Sequence, residues 1–182
     1  PSITMNLKMF IEGFYSSASN LQVSDTLKIY LRNSGSPYAL IDSAEAVISD
    51  SGTALLTFSS AASGTYYIVL THRNSIETWS AVGVVMTQGI TSDYDFTNAA
   101  SKAFDDNMKQ VDNSPARFAI YSGDVNQDAL VESTDYQEIE NGSQAFLSGY
   151  VPTDLTGDWL VESADYGIME NNSQLFLFVN QP

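Results

Sequence analysis

The residues of this chain best placed to do chemistry together are oxygen bearers at fixed intervals. Asp124, Asn126, Asp128, Glu132 and Asp135 stand at positions 1, 3, 5, 9 and 12 of a twelve-residue stretch, with Leu130 at position 7. Asp154, Thr156, Asp158, Leu160, Glu162 and Asp165 fill the same six positions of a second stretch, at a fixed offset of 30. Side-chain oxygens at the first, third and fifth places and a backbone carbonyl at the seventh curl about one centre. The ninth reaches through water, and the twelfth closes the ring from the start of a following helix. A hard cation wanting about six to eight oxygens suits this spacing, so calcium is the expected ion, one per loop. Neither loop contains Cys or His, which argues against zinc or copper. Carboxylates at the first, fifth and twelfth places of both loops repel one another without metal, so the segment is expected to loosen when the ion is removed.

The two stretches belong to a longer internal repeat. Residues 124–148 align without gaps onto 154–178, with 14 of 25 positions identical. Two copies of one supersecondary unit are expected, each too small to be stable alone. Val131 and Val161, at the eighth place, are expected to pair across the two loops. Tyr136, Ile139 and Phe146, with Tyr166, Met169 and Phe176 in the second copy, are expected to give each helix one apolar stripe.

Gly123-Asp124-Val125-Asn126-Gln127-Asp128, followed by Val131-Glu132-Ser133-Thr134-Asp135, resembles the loop of the dockerin type I repeat. The resemblance spans roughly residues 122–178, about a third of the chain. It implies two calcium loops, each followed by one helix, packed in pseudo-twofold fashion. It also implies a cohesin-like partner contacted through loop positions 10 and 11, here Ser133-Thr134 and Ser163-Ala164. The sixth loop position, normally Gly because φ is positive there, holds Ala129 and Trp159 at an expected cost of about 1 kcal/mol each. Thr156 is a neutral ligand, so the second site is expected to be the weaker.

These loops need elements to hold them. Residues 1–120 read as a β-sandwich domain and 121–182 as the two-loop calcium module. Ile3, Met5, Leu7, Met9 and Ile11 alternate with mostly polar residues, the period of a half-buried strand. Leu27–Leu31, Ala39–Ile48, Ala54–Phe58, Tyr66–Leu70, Glu77–Ala81, Val84–Thr87 and Arg117–Tyr121 read as further short strands. Ser59–Gly64 reads as a hairpin turn. Residues 97–108 are the one helix-compatible stretch before the repeat. Short strands at this spacing indicate a mainly β protein, an antiparallel sandwich of immunoglobulin or transthyretin type ahead of a small α-helical module. Gly64-Thr65-Tyr66-Tyr67-Ile68-Val69 and His72-Arg73-Asn74-Ser75-Ile76-Glu77-Thr78-Trp79-Ser80 resemble the transthyretin-like or carboxypeptidase-regulatory-like sandwiches of secreted Bacteroidetes-type proteins.

Of 182 residues, 7 are basic and 22 acidic, for a net charge of −15. That argues against nucleic acid and anionic membrane surfaces as partners, and no apolar run is long enough for membrane insertion. All seven bases precede position 118, so residues 118–182 carry 11 acids and no base. No cysteine is present, which excludes disulfides and thiol nucleophiles. His72 is the only histidine, so any Ser-His-Asp arrangement must use it, and no nucleophile elbow or phosphate loop accompanies it. A carboxylate pair could be drawn from Glu12, Glu45 or Glu77, but among so many acids some pair always qualifies. A non-enzymatic, calcium-stabilised, extracellular structural protein is therefore expected, a self-assembling subunit of a filament or surface matrix with its leader removed ahead of Pro1. Its termini, the strand at residues 3–11 and the run Leu175-Phe176-Leu177-Phe178-Val179, could complete a neighbour's sheet, making further copies of itself the leading partner. The alternatives are docking to a cohesin-like protein and binding of a surface glycan by Trp79, Tyr66, Tyr67 and Tyr94. Asp25-Thr26-Leu27 and Asp42-Ser43-Ala44 fit an O-glycosylation pattern, and Asn141-Gly142-Ser143 and Asn171-Asn172-Ser173 an N-glycosylation pattern.

Overall fold

The computed structural model describes residues 1–182. Its elements run β1 (Ile3–Lys8), β2 (Tyr15–Ser16), β3 (Leu21–Gln22), β4 (Asp25–Asn33), β5 (Leu40–Ile48), β6 (Thr53–Phe58) and β7 (Gly64–His72). They continue with β8 (Ser75–Trp79), β9 (Val84–Met86), β10 (Thr91–Asp95), β11 (Lys109–Asn113), β12 (Ala116–Ala119), α1 (Ser133–Gln144) and α2 (Ser163–Ser173). No helix is long and apolar enough to cross a membrane.

Two sheets make the sandwich, one ordered β10-β1-β6 and the other β5-β4-β7-β8, with β9 added along β7. Period-two alternation puts Ile3, Met5 and Leu7 of β1, Leu27, Ile29 and Leu31 of β4, and Leu56 and Phe58 of β6 on inward faces, each at most 1% exposed. They meet Ile68 and Leu70 of β7 in one core of 21 buried residues. Burying alternate side chains of facing sheets is what fixes the strand register here, because a slip of one residue would turn each apolar set to solvent.

Three expectations about the sandwich need correction. Ser59–Gly64 does not close a hairpin: β6 pairs with β1 (Met5 opposite Leu56) and β7 with β4 (Leu31 opposite Ile68). The segment crosses between sheets and buries Ala61 on the way, because both strands present apolar faces to the same core from opposite sides. The sandwich is not wholly antiparallel, since β1 runs parallel to β10, with Leu7 opposite Tyr94. Residues 97–108 form two short 3-10 turns, Ala100–Lys102 and Phe104–Asp106, rather than a helix. Asp105 and Asp106 have φ of 53° and 54°, a left-handed pair that ends any helical run.

Both ends of the chain are used internally. β1 is the central strand of its sheet, and the Leu175–Val179 run lies along the first loop, Val131 N–H donating to the Leu177 carbonyl and Val179 N–H to the Ala129 carbonyl. Neither terminal segment is left as a free strand for a neighbour's sheet.

The module has a second core of Ile76, Val125, Val131, Ile139, Leu155, Val161 and Met169. Ile76 belongs to β8, so the sandwich supplies part of the module's interior. The junction is hydrogen-bonded as well as packed: Ile76 N–H donates to the Tyr121 carbonyl at 2.9 Å, and Gly123 N–H to the Asn74 carbonyl at 2.7 Å.

Candidate metal centre

Each loop folds around its own acids. In the first, Asp124 is 2% exposed; its Oδ1 accepts from Asp128 N–H at 3.1 Å and its Oδ2 from Ala129 N–H at 3.2 Å. Asp135 is fully buried and accepts from Val125 N–H (2.9 Å) and Asn126 N–H (3.2 Å) on Oδ1, and from Glu132 N–H (3.0 Å) on Oδ2. Asn126 Oδ1 takes a bond from Asp128 N–H at 2.9 Å, while its Nδ2 donates to Asp128 Oδ2 at 3.1 Å. Asp135 thus ties the second and third residues of the loop to the ninth, which caps the start of α1.

The second loop repeats the pattern. Asp154 (1% exposed) accepts from Gly157 N–H at 2.7 Å on Oδ1 and from Trp159 N–H at 3.2 Å on Oδ2. Asp165, fully buried, accepts from Leu155 N–H (2.7 Å), Thr156 N–H (3.0 Å) and Glu162 N–H (2.8 Å). Thr156 Oγ1 lies 3.3 Å from Asp154 Oδ1, and Leu160 N–H donates to Asp158 Oδ1 at 3.0 Å.

The two copies embrace by exchange. Leu130 bridges to Phe178, beyond the second helix, and Leu160 bridges to Ser148, beyond the first. Val131 N–H donates to the Leu177 carbonyl and Val161 N–H to the Leu147 carbonyl, so each valine's backbone is held by the tail of the other repeat. Both valine side chains enter the shared core. The bridges use the backbone of the residues flanking Leu130 and Leu160. Successive backbone groups of extended chain point to opposite sides, so the Leu130 and Leu160 carbonyls are directed toward the loops. Consistent with this, Leu130 N–H donates inward to Asp128 Oδ1 at 3.1 Å.

The helix stripes are narrower than expected. Ile139 and Met169 are fully buried, and the Tyr136 and Tyr166 rings pack 5.6 Å apart across the pseudo-twofold. Phe146 and Phe176 leave the stripe: they sit just past the helices at φ of 53° and are 90% and 85% exposed. In the first copy the Leu147 N–H reaches back to the Gly142 carbonyl, the helix-ending turn that places its intervening residue in the left-handed region.

Burial and like charge oppose ionisation of the acids in the loops. Burial, then the neighbouring charge of Asp135 and that of Asp128, pushes the Asp124 carboxyl up to about 7. Burial also raises Asp135 and Asp165. No three carboxylate or imidazole groups stand close enough to hold a metal by themselves, so any shell would need neutral oxygens of Asn126 or Thr156 and of the backbone. The donor set is all oxygen and suits a hard ion.

Residues outside the repeat clamp the second loop to the sandwich, and spacing did not point to them. Asp25 Oδ2 accepts from Arg73 Nε and stands 3.1 Å from His72 Nε2, while Asp25 Oδ1 accepts from Tyr150 Oη at 2.6 Å. Burial opposes its ionisation, but hydrogen bonds from His72 and Tyr150 and the His72 charge outweigh it and hold its carboxyl well below the usual range. Arg73 reaches into the module: its Nη1 donates to the Val151 and Asp154 carbonyls, and its Nη2 lies 3.5 Å from Asp154 Oδ2. Glu12 Oε2 accepts from Ser122 N–H and from Asn172 Nδ2 on α2. The one legible trace of this clamp was the run His72–Ser75 at a strand end.

His72 also lies 3.1 Å from Ser75 Oγ, so a Ser-His-Asp chain of contacts exists. Ser75 is fully buried and His72 is 3% exposed, so no substrate can reach the hydroxyl. Trp79 is 2% exposed and Tyr66 8%, which removes two of the four rings from any sugar-stacking platform. Tyr38 instead packs edge to face against both Tyr67 and Trp79, whose own rings are tilted at 59° to each other.

No family model matches the chain, and no curated protein does. Among solved structures, the chain is similar to one in a C-terminal interface mutant of the type II Cohesin-X-Dockerin complex from Acetivibrio cellulolyticus, with a TM-score of 0.53 and 16% identity over 98% of this chain and 96% of that one. It is likewise similar to a chain of the N-terminal interface mutant of that complex, with a TM-score of 0.52, 16% identity and the same coverage. At this identity the likeness is one of fold: a β-sandwich carrying two helices, shared along nearly the whole length.

Proposed function

We propose that this protein is a secreted, non-catalytic docking module that binds calcium in the loops 124–135 and 154–165 and, so loaded, attaches to a cohesin-like protein. The observation that carries the reading is the sandwich and the paired oxygen loops forming one packed unit, in a fold shared end to end with a chain from a Cohesin-X-Dockerin complex. Asp124, Asn126, Asp128, Asp135 and the Leu130 carbonyl would hold one ion. Asp154, Thr156, Asp158, Asp165 and the Leu160 carbonyl would hold the other, with Glu132 and Glu162 reaching through water. The ion supplies the charge that lets buried carboxylates coexist, and so holds α1 and α2 in their relative setting.

A docking face is available. Ser133, Thr134, Ser163 and Ala164 are exposed on the first turns of the two helices. Phe146 and Phe176 are exposed beyond their ends, and Leu130, Tyr136, Phe176 and Phe178 line an open groove of about 630 Å³. Extracellular free calcium, in the range modules of this kind require, fits the secreted setting. Self-assembly through terminal strands has no support, because both are paired within the chain.

Titration calorimetry of the purified chain against type II cohesin modules, with calcium and with EGTA, tests the reading. One-to-one binding that chelation abolishes is expected, with light scattering reporting a monomer before the partner is added. Calcium-dependent filaments of the chain alone, or no heat of calcium uptake, would refute it.

A further inference from the structure

The two loops are equivalent in sequence spacing but not in how they are closed. In the first, position 4 is Gln127, whose Nε2 donates to the carbonyl of Asp124 at position 1 and to the Ser75 carbonyl of the sandwich. In the second, position 4 is Gly157, which has no side chain to donate. Its φ is +75°, and a Cβ there would meet the Phe14 ring at 3.0–3.1 Å, so the sandwich occupies the space a side chain would need. The Asp154 carbonyl is nonetheless bonded: Asn74 Nδ2 donates to it at 2.8 Å and Arg73 Nη1 at 3.3 Å.

We infer that Arg73 and Asn74, on the turn between β7 and β8, are positioning residues for the second metal loop, replacing from the sandwich the bond that Gln127 makes within the first. The inference rests on the calcium reading above and says which residues outside the repeat set the second site's affinity. Arg73 also touches Asp154 Oδ2, the oxygen that accepts from Trp159 N–H, which leaves Oδ1 as the one turned toward Thr156. A guanidinium beside a cation site would ordinarily repel the ion. Here Asp25 Oδ2 lies 3.1 Å from Arg73 Nε and offsets that charge, so orientation of Asp154 outweighs repulsion. The Arg73 plane is held in turn between Tyr150 and Phe14, its guanidinium carbon 4.5 Å and 5.5 Å from their ring centres. Groups that orient a ligand from outside the coordination shell typically change metal affinity by about 10–100-fold when removed.

Trp159, at position 6 of the second loop, makes that loop separately visible as the part of the terbium emission that Trp159→Phe removes, because indole excitation sensitises terbium bound beside it and the other indole, Trp79, stays in place. The experiment titrates terbium, with calcium as competitor, into the full chain, reading Trp159-sensitised emission for the second loop and total uptake by calorimetry for both. Arg73→Met and Asn74→Ala are each expected to weaken the emission-reporting site by about 10-fold or more while the other site stays within 2-fold. Gln127→Ala is expected to do the reverse, and Arg73→Lys to recover part of the loss. Equal weakening of both loops in Arg73→Met and Asn74→Ala, or an unchanged second loop, would overturn the inference with the calcium reading intact. Absence of terbium and calcium uptake in the unaltered chain would overturn the calcium reading itself.

Discussion

The sixth residue of each loop is strained in a way that can be measured. Ala129 has φ of +77° and Trp159 +73°, a region in which a β-carbon crowds the backbone. An L-residue other than glycine pays about 1–2 kcal/mol there. Ala129→Gly removes that cost but adds the entropy of a freer unfolded chain, about 0.4–1 kcal/mol. Little else is lost. Ala129 is exposed, and its N–H to Asp124 Oδ2 and its carbonyl to Val179 N–H are backbone groups that glycine keeps. The net gain is about 0.5–1 kcal/mol, or roughly 1–4 °C in Tm for a chain of this size. Trp159→Gly relieves the same strain but sacrifices the indole, whose ring centre lies 6.3 Å from that of Tyr150. It should therefore gain less than Ala129→Gly, or nothing. Calorimetric melting of the three proteins at one fixed free calcium concentration makes the comparison. An Ala129→Gly protein that melts below the parent would show that the positive φ carries no cost here.

Gly13→Ala would place a Cβ 2.0 Å from the Leu155 carbonyl oxygen and 2.7 Å from Ile168 Cδ1, wedging the module off the sandwich. A loss of about 3 kcal/mol is expected, with hydrogen exchange rising in α2 but not in β4, whereas Gly35→Ala, which meets nothing, should be silent. Asp25→Asn should cost about 3 kcal/mol at neutral pH by leaving Arg73 without its buried partner. Because the Asp25 carboxyl is held below its ordinary value, that contribution is complete above about pH 4 and is lost as pH falls further, so parent and variant melting curves should converge in acid. Asp128→Ala should lower Tm with calcium present and have little effect in chelator; at free calcium about 100-fold above the dissociation constant the forfeited term is about 2.7 kcal/mol. An equal drop in chelator would count against a ligand role.

What was legible locally in this chain is what neighbouring residues encode. The inward sets Ile3-Met5-Leu7 and Leu27-Ile29-Leu31 follow from period-two alternation, and the duplicated spacing of Asp, Asn and Glu marks two loops that each lead into a helix. Positive φ at Ala129 and Trp159 was readable too, because the loop's turn requires it whatever residue is there. Short strands such as β2, β3 and β11 carry no alternation long enough to see. Phe146 and Phe176 looked like stripe residues because position along a helix says nothing about where the helix stops.

Choice of partner lay beyond the sequence, since it is decided by surfaces distant along the chain. Only the fold shows that β6 joins β1 instead of β7, that β10 runs parallel to β1, and that the Leu175–Val179 run is consumed by the first loop. Only the fold brings Arg73 and Asn74 to Asp154, 80 residues away in the case of Asn74. The oxygen donors were written into the repeat by their spacing. Their support came from an unrelated segment, because a buried backbone carbonyl takes whichever donor the packing of two cores sets beside it.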